Sequence, residues 1–480
     1  MTDAATSRVR VLRLTQLFVL VDYMAVGAMR TVLPYYAKHL GGTGQQVGGL
    51  ETVYGIGQVV GALTLGWLSD ARGRIFVLML SFLGAAVGYS IVSLAVVKGS
   101  VLILLCSRLP VGLAKQTVTA SRAMISDLTP PDEGRSEALA LMFAGCSLGY
   151  ALGPFLGGLL AERVGYTSPL PAMACATIFV LLIPASALLL PETSSLSLCG
   201  ATAKGGDNSS KSSRSSATAT ARASRASAKA PAAPTPTPTS AAPPPTGDEL
   251  LPLLIGVTLP EGALVMFSST SLALLAQSIG WSPSRLGLYN SCWGVASGSL
   301  SLTLWPRLFK SGALSDMTAL RLGVGSLGVA CGLLSAHGTA ATLWATLPLG
   351  TVAVGMIRTV PASLLTKRAP AARRGKVLGR LDAAGSVCRI VLPALCGWLV
   401  DECGLWAAFA AQAVLCAAGL LLIERCASVV VPDGDGPRGD GEEEDQDGGR
   451  GAGQCAEAVK SEPPGVQTRR SARRRKSKAE

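Results

Sequence analysis

Several charged residues of the 480-residue chain lie inside long apolar stretches, and six of them are candidates for function. They are Asp22, Arg108, Lys115, Glu261, Asp382 and Arg389. A charged side chain at the centre of a membrane span costs at least about 2.5–3.5 kcal/mol on insertion scales, so each of these residues needs a partner or a water-filled cavity. Carboxylates in a partly dry cavity are suited to carrying protons, and cations there bind carboxylates or anionic ligands. We therefore take the six as candidate proton-binding or substrate-binding residues.

The spacing of these residues predicts which charges share a helix face. Arg108 and Lys115 are seven residues apart and lie on one face, and the same holds for Asp382 and Arg389. Arg108 and Lys115 need carboxylate partners or an anionic ligand, and Asp22 could pair with either cation. For Asp382 and Arg389, a purely structural ion pair is an equal alternative to a functional role.

The other residues that could do chemistry favour no enzyme site. The sequence has no Cys-x-x-Cys pair, eight of its 12 cysteines lie in apolar stretches, and His39 and His337 are isolated. We therefore expect no metal, no cofactor and no disulfide framework. The phosphate-binding pattern GxxxxGK[ST] is also missing, which argues against a pump that hydrolyses ATP.

The elements that position the charged residues are long and apolar. Hydrophobic residues make up 49% of the chain, charged residues only 15%, and the mean hydropathy is +0.42. Soluble domains carry about 25% charged residues, so a soluble chain is excluded. The net charge of +12 lies in loops and tails, which excludes nucleic-acid binding. A helix that crosses a bilayer needs about 20 mostly apolar residues. Twelve segments are candidates for such spans: 12–34, 47–68, 75–97, 101–123, 137–160, 169–190, 250–277, 286–304, 317–336, 341–365, 377–400 and 405–424.

Two polar segments divide the chain. Residues 194–248 are rich in Ala, Ser, Thr and Pro, which predicts a disordered cytoplasmic linker. Residues 427–480 hold an acidic block and then a basic block, which predicts a disordered cytoplasmic tail. The expected fold is an all-α integral membrane protein, with twelve transmembrane helices in two six-helix halves, 1–193 and 249–426. For the tail, a solvated terminus, a contact with anionic lipid and a sorting signal are all open.

The positions of Lys and Arg predict the orientation. These residues concentrate in the linker, the tail and the loops on one side of the predicted spans. Because cytoplasmic segments carry the excess of Lys and Arg, both termini are expected in the cytoplasm. The sequence does not distinguish the plasma membrane from an endomembrane. The loops on the opposite side contain only Lys38, Lys98, Arg163 and Arg285.

A glycine-containing loop follows the second predicted span. It reads Gly66-Trp67-Leu68-Ser69-Asp70-Ala71-Arg72-Gly73-Arg74. A short turn between two spans needs the backbone freedom of Gly73. Asp70 is able to pair with Arg74, with a cation on a neighbouring helix, or with a helix N-terminus. Such a contact would hold one conformation of the protein and break in another.

The fifth predicted span combines small residues with one proline. Glycines let helices approach closely, and a Gly-Pro pair permits a bend. The pattern predicts a helix that packs tightly on its neighbours. Its residues are Gly149, Gly153, Pro154, Gly157 and Gly158.

These patterns resemble those of the major facilitator superfamily, in particular its tetracycline–proton antiporter branch. Residues 66–74 are similar to the loop motif G-x-x-x-D-x-x-G-R, and residues 153–158 to the antiporter motif G-P-x-x-G-G. Arg108-x3-Gly112 resembles the R-x-x-x-G motif of proton antiporters. Over residues 108–162 the chain most closely resembles an orphan eukaryotic carrier of the superfamily that is itself similar to the tetracycline antiporters. Ala71 and Ile75 depart from the loop motif, because the family often has basic residues there.

The resemblance implies a secondary-active transporter that moves a small organic solute by alternating access, with proton antiport as the coupling of this branch. It also implies a monomer in the lipid bilayer, with no nucleic-acid partner and no enzymatic activity. Two alternatives stay open: a facilitative uniporter, and a membrane interaction protein that transports nothing and recruits partners through its linker and tail.

Overall fold

The computed structural model describes residues 2–129, 135–191, 250–369 and 373–429, and these ranges fold into twelve long helices. The predicted linker, and the predicted tail beyond residue 429, lie outside the described residues. We number the helices in chain order: α1 (Thr2–His39), α2 (Gly44–Arg72), α3 (Arg74–Lys98), α4 (Val101–Leu128), α5 (Arg135–Val164), α6 (Leu170–Leu189), α7 (Leu251–Ser278), α8 (Pro283–Lys310), α9 (Asp316–Ala336), α10 (Ala340–Arg368), α11 (Arg374–Cys403) and α12 (Leu405–Val429).

Ten of the described helices are long and apolar enough to cross a membrane. The other two, α2 and α8, have the length of a span, 29 and 28 residues, but more polar side chains. Glu51 and Gln58 of α2, and Asn290 and Ser297 of α8, line a cavity between the two halves of the molecule. Because these polar groups face the cavity, α2 and α8 can cross the membrane without exposing them to lipid.

Each six-helix half has its own hydrophobic core. In the first half, the rings of Phe82 on α3 and Phe179 on α6 lie 6.1 Å apart and are fully buried. In the second half, Phe267 on α7 and Phe409 on α12 lie 6.3 Å apart. Since each half is packed around its own aromatic residues, it can move as one body.

The halves meet along two seams, α2 against α11 and α5 against α8. Glycines make both seams close. A Cβ atom at Gly48 would overlap the carbonyl oxygen of Pro393, and one at Gly287 would overlap the carbonyl oxygen of Pro154. The backbones of the two halves therefore touch directly, which only small residues allow.

Two helices depart from regular α geometry. The sequence predicts a continuous fourth helix, but α4 leaves helical conformation at Lys115 (ψ 81°) and Gln116 before it resumes at Thr117. The hydroxyl of Ser81 on α3 accepts a hydrogen bond from the Gln116 backbone N–H at 3.2 Å, which satisfies a donor at the break. Because this contact joins two different helices, the sequence of α4 alone does not predict it. In α7, Phe267–Ser271 form a π-helical turn, a feature frequent at functional sites.

A cavity between the halves as candidate functional site

A cavity of about 1310 Å³ lies between the two halves. Helices α1, α2, α4 and α5 line one side, and α7, α8, α10 and α11 line the other. Its volume exceeds that of a typical drug-sized pocket, about 300–1,000 Å³, and leaves room for water beside a small solute. Its charged and tyrosine lining residues are Arg30, Glu51, Lys115, Arg122, Glu261, Arg358, Asp382, Arg389, Tyr23, Tyr54 and Tyr150.

The two ends of the cavity differ. At one end, formed by the loops after α1, α5, α7 and α11 and called here the closed end, the halves touch. There the Tyr35 hydroxyl donates a hydrogen bond to the Trp281 carbonyl oxygen at 2.9 Å, from one half to the other. At the opposite end, the open end, Arg122, Arg358 and Asp382 line the cavity and are exposed. The cavity is therefore accessible from one side of the molecule.

A buried ion pair borders the cavity. The Nζ atom of Lys115 contacts both carboxylate oxygens of Asp22 and lies 2.5 Å from Oδ1. The Lys115 side chain is 8% exposed and that of Asp22 is 1% exposed. Lys115 belongs to the cavity wall and also lies 5.3 Å from the centre of the Tyr23 ring, whereas Asp22 lies behind the wall. The break in α4 thus positions an ammonium group between the carboxylate and the cavity.

Arg108 has a different neighbour. Its guanidinium lies 5.0 Å from the centre of the Tyr54 ring, a cation–π contact worth about 0.5–2 kcal/mol. The side chain is buried, and its Nε has no hydrogen-bond partner among the described residues. Among the described residues, Asp22 pairs with Lys115 and no carboxylate pairs with Arg108. Asp22 lies at the level of Lys115.

Arg30 and Glu51 form a second charged contact, which the sequence interpretation missed. Arg30 Nε lies 3.8 Å from Glu51 Oε1. Arg30 Nη2 also donates to the Ser268 carbonyl oxygen at 3.5 Å, in the π-helical turn of α7. This contact joins the two halves. Arg30 and Glu51 both lie inside predicted spans. The criterion that selected Asp22, a charge within an apolar stretch, therefore applies to them as well.

Glu261, Asp382 and Arg389 line the cavity without pairing with each other. Arg389 donates a hydrogen bond to Ser386 Oγ at 3.0 Å. Within the described part of the chain no ion pair joins it to Asp382, so the structural ion pair considered from their spacing is not formed. Asp382 and Arg389 are exposed and line the cavity, so neither charge requires an ion-pair partner. Of the six charges selected from the sequence, only Asp22 and Lys115 are brought into contact.

The loop motif between α2 and α3 is built on a strained backbone position. Gly73 has a φ of 98°, which favours glycine. Gly66 borders open space on α2, and the Arg72 guanidinium lies 5.5 Å from the centre of the Phe76 ring. Glycine is thus required in this motif at the turn itself.

Arg74 connects this turn to α4. It donates hydrogen bonds to Ser69 Oγ at 3.0 Å and to Asp127 Oδ2 at 3.4 Å. The side chain of Asp70 lies outside what the structure describes, so the contact expected of it stays a prediction.

The small residues of α5 hold this helix between α1 and α8. Cβ atoms at Gly149, Gly153 and Gly157 would come too close to Leu20, Met24 and Ala28 of α1, respectively. Pro154 lies against Gly27 of α1, and on the other face of α5 a Cβ atom at Gly158 would overlap the Pro283 carbonyl oxygen of α8. The helix thus joins the packing of the first half to the α5/α8 seam.

Comparison with known proteins gives the family and relatives. A family profile described as Major Facilitator Superfamily matches residues 17–241 and 253–476. The human protein solute carrier family 67 member A1 is 32% identical over 177 residues, which cover 36% of this chain and 41% of that protein. The class E tetracycline resistance protein of Escherichia coli is 31% identical over 187 residues, covering 38% of this chain and 44% of that protein. The matched stretches span about two fifths of these relatives' own length.

Solved structures share the fold. The nucleoside transporter NupG aligns over 87% of this chain and 98% of its own, with a TM-score of 0.64 and 13% identity. The human organic anion transporter MFSD10 (TETRAN) aligns over 87% and 99%, with a TM-score of 0.52 and 21% identity. These matches confirm the predicted all-α membrane fold of twelve helices in two halves.

Proposed function

We propose that this chain, which belongs to the Major Facilitator Superfamily, exchanges a small organic solute for protons by alternating access. Membership makes the chain an integral membrane transporter and not an enzyme. In alternating access, the two halves move against each other so that a central cavity faces one side of the membrane at a time. A cavity between two separately packed halves, closed at one end and open at the other, supports this cycle.

The observation that carries the coupling is the buried contact between Asp22 and Lys115 in the cavity wall. While Asp22 is ionised, it compensates the charge of the Lys115 ammonium. A proton on Asp22 removes this compensation and leaves a positive charge facing the cavity. A cationic solute is then repelled by this charge, so protons and such a solute occupy the carrier in turn. Alternate occupancy of this kind is what an antiporter requires.

We also propose that both termini lie in the cytoplasm, because Lys and Arg concentrate on that side of the helices. The open end then faces the cytoplasm. Since the cavity lies within one chain, a monomer is sufficient for transport. Accessibility of an epitope at residue 480 to antibody, before and after the membrane is permeabilised, tests this orientation. In intact cells that carry the chain in the plasma membrane, the antibody should bind only after permeabilisation.

The test of coupling uses the full chain in proteoliposomes that contain a pH-sensitive dye, with a solute chosen by a thermal-shift screen. Solute added outside should drive protons in the opposite direction. Asp22→Asn keeps the size of the side chain but fixes a neutral one. It should abolish accumulation driven by a pH gradient and retain exchange of labelled for unlabelled solute. Glu162→Gln is the control, because Glu162 is an exposed carboxylate of α5 with no hydrogen bond or ion pair to another described side chain.

Each other outcome replaces the proposal with a specific alternative. Protons that move together with the solute indicate symport. Solute movement without protons indicates a facilitative uniporter. If none of the solutes that bind is transported, the membrane interaction protein is the better interpretation. Full proton-driven accumulation by Asp22→Asn removes Asp22 as the proton carrier and makes Glu261 and Asp382 the next candidates.

A further inference from the structure

A carboxylate at the closed end joins the last turn of α11 to the first turn of α2. Asp401 Oδ1 accepts a hydrogen bond from the Gly44 backbone N–H at 2.7 Å, and Oδ2 accepts one from the Gln45 N–H at 2.8 Å. The two helices belong to different halves. Asp401 therefore holds the second half against the first by direct hydrogen bonds to its backbone.

The start of α2 is a favourable partner for this carboxylate. The first N–H groups of a helix have no partner within the helix, and they carry the positive end of its dipole. Thr43 accepts one of them, from Gln46, and Asp401 accepts two more. A Cβ atom at Gly44 would lie 2.6 Å from Asp401 Oδ1, so this contact needs glycine. The contact is charge-assisted, which makes it about twice as strong as one between neutral groups.

The sequence around Asp401 repeats the loop motif at the end of α2. Residues 397–404 read Gly-Trp-Leu-Val-Asp-Glu-Cys-Gly, and residues 66–73 read Gly-Trp-Leu-Ser-Asp-Ala-Arg-Gly. The final glycines, Gly404 and Gly73, have φ values of 89° and 98°, and each N–H bonds to the carbonyl four residues earlier. The same local structure thus ends both helices.

The α2/α11 seam is antiparallel. Gly44 lies beside Gly397, and Gly55 lies beside Arg389, so residue numbers rise along α2 as they fall along α11. Each helix therefore ends near the point where the other begins. The aspartate of the motif on α11, Asp401, therefore lies at one end of the seam, and that of the motif on α2, Asp70, lies at the opposite end.

We propose that Asp401 helps to keep the closed end closed, and that it must leave the N-terminus of α2 when the protein changes to its opposite conformation. The inference rests on alternating access but not on the coupling ion. Asp401 is then a positioning residue outside the cavity. Its signal in the sequence is the similarity of residues 397–404 to the loop motif at the end of α2.

Hydrogen–deuterium exchange of the full-length protein in lipid nanodiscs measures the conformation without a solute. Asp401→Asn loses the charge that strengthens both hydrogen bonds. We expect the exchange rate of peptides covering residues 40–50 and 395–405 to rise about tenfold. Peptides at the open end, such as 120–128, should exchange more slowly, because closing that end accompanies opening of the other. Gly44→Ala should have the same effect, since its Cβ displaces the carboxylate.

The matched control is Glu402→Gln, which removes the neighbouring exposed carboxylate and should change nothing. Equal exchange in Asp401→Asn and Glu402→Gln would overturn the proposal. A rise confined to residues 44–46, with no change at the open end, would also overturn it, because Asp401 would then be only a local helix cap. Since exchange is read without transport, loss of proton coupling in Asp22→Asn leaves this result unaffected.

Discussion

The ammonium group of Lys115 touches both carboxylate oxygens of Asp22, and no other ion pair of the described residues is as deeply buried. The pair links α1 to the broken segment of α4, next to the cavity. Two charges that are desolvated together stabilise the fold only while both are present. The contact therefore makes the stability of the first half depend on the charge state of a residue beside the cavity wall.

This dependence predicts a particular pattern of stability among variants. Asp22→Asn and Lys115→Gln each leave one buried group without its partner, and each should cost about 3–5 kcal/mol. The double variant leaves no uncompensated charge and should lose less than the sum of the two. Thermal unfolding of the purified chain in detergent measures this. The exposed pair Arg321–Glu424 is the control, because replacing either residue with Gln should cost at most about 1 kcal/mol. Additive losses at Asp22 and Lys115 would contradict the prediction.

The packing of α5 on α1 gives a second prediction. Gly153→Ala introduces a Cβ atom against the Met24 carbonyl oxygen, a backbone atom that cannot move aside cheaply. We expect a loss of about 1–3 kcal/mol in the free energy of unfolding, with poorer recovery of folded protein from membranes. Gly325→Ala on α9 is the control, because nothing lies within 4 Å of the added Cβ. Equal thermal stability of the two variants would mean that the α1/α5 contact is looser than described.

Two neighbouring tyrosines allow a test of the closed end that does not involve Asp401. The hydroxyl of Tyr35 bonds to Trp281 in the other half at 2.9 Å, and that of Tyr36 bonds to Ser168 in its own half at 2.8 Å. Each Phe substitution removes one neutral hydrogen bond, worth about 1 kcal/mol. Only Tyr35→Phe should speed deuterium exchange at residues 279–285, which border the closed end. The same response in Tyr36→Phe would show that the effect is general loosening.

Cutting the chain between the halves gives a fourth prediction. Both seams are made by packed helices, so the halves should stay together without a covalent link. A protease site inserted within 205–245 should allow complete cleavage while the two fragments elute together in size-exclusion chromatography in mild detergent. Separation of the fragments would show that the seams are too weak to hold the halves by themselves. An uncut sample is the control for elution volume.

Hydropathy and motif patterns were sufficient to predict the twelve helices, because the thickness of the bilayer sets the length of every span. They did not predict the break in α4, since it depends on Ser81 of another helix. The spacing of Arg108 and Lys115 did not predict which of them pairs with Asp22. The pairing depends on how α1 packs against α4. Asp401 escaped selection because it lies outside the apolar part of its helix.

The separate cores of the two halves also bear on how the chain is made. Because α1 to α6 pack around their own aromatic residues, the first half has what it needs to fold before the second half is synthesised. Ribosomes add about 5–20 residues per second, so making residues 194–248 delays α7 by several seconds. Formation of the seams is then a late step, in which two finished bundles associate. Variants of Gly48 or Gly287 should therefore accumulate as folded but unassociated halves, which cellular quality control can recognise in the membrane.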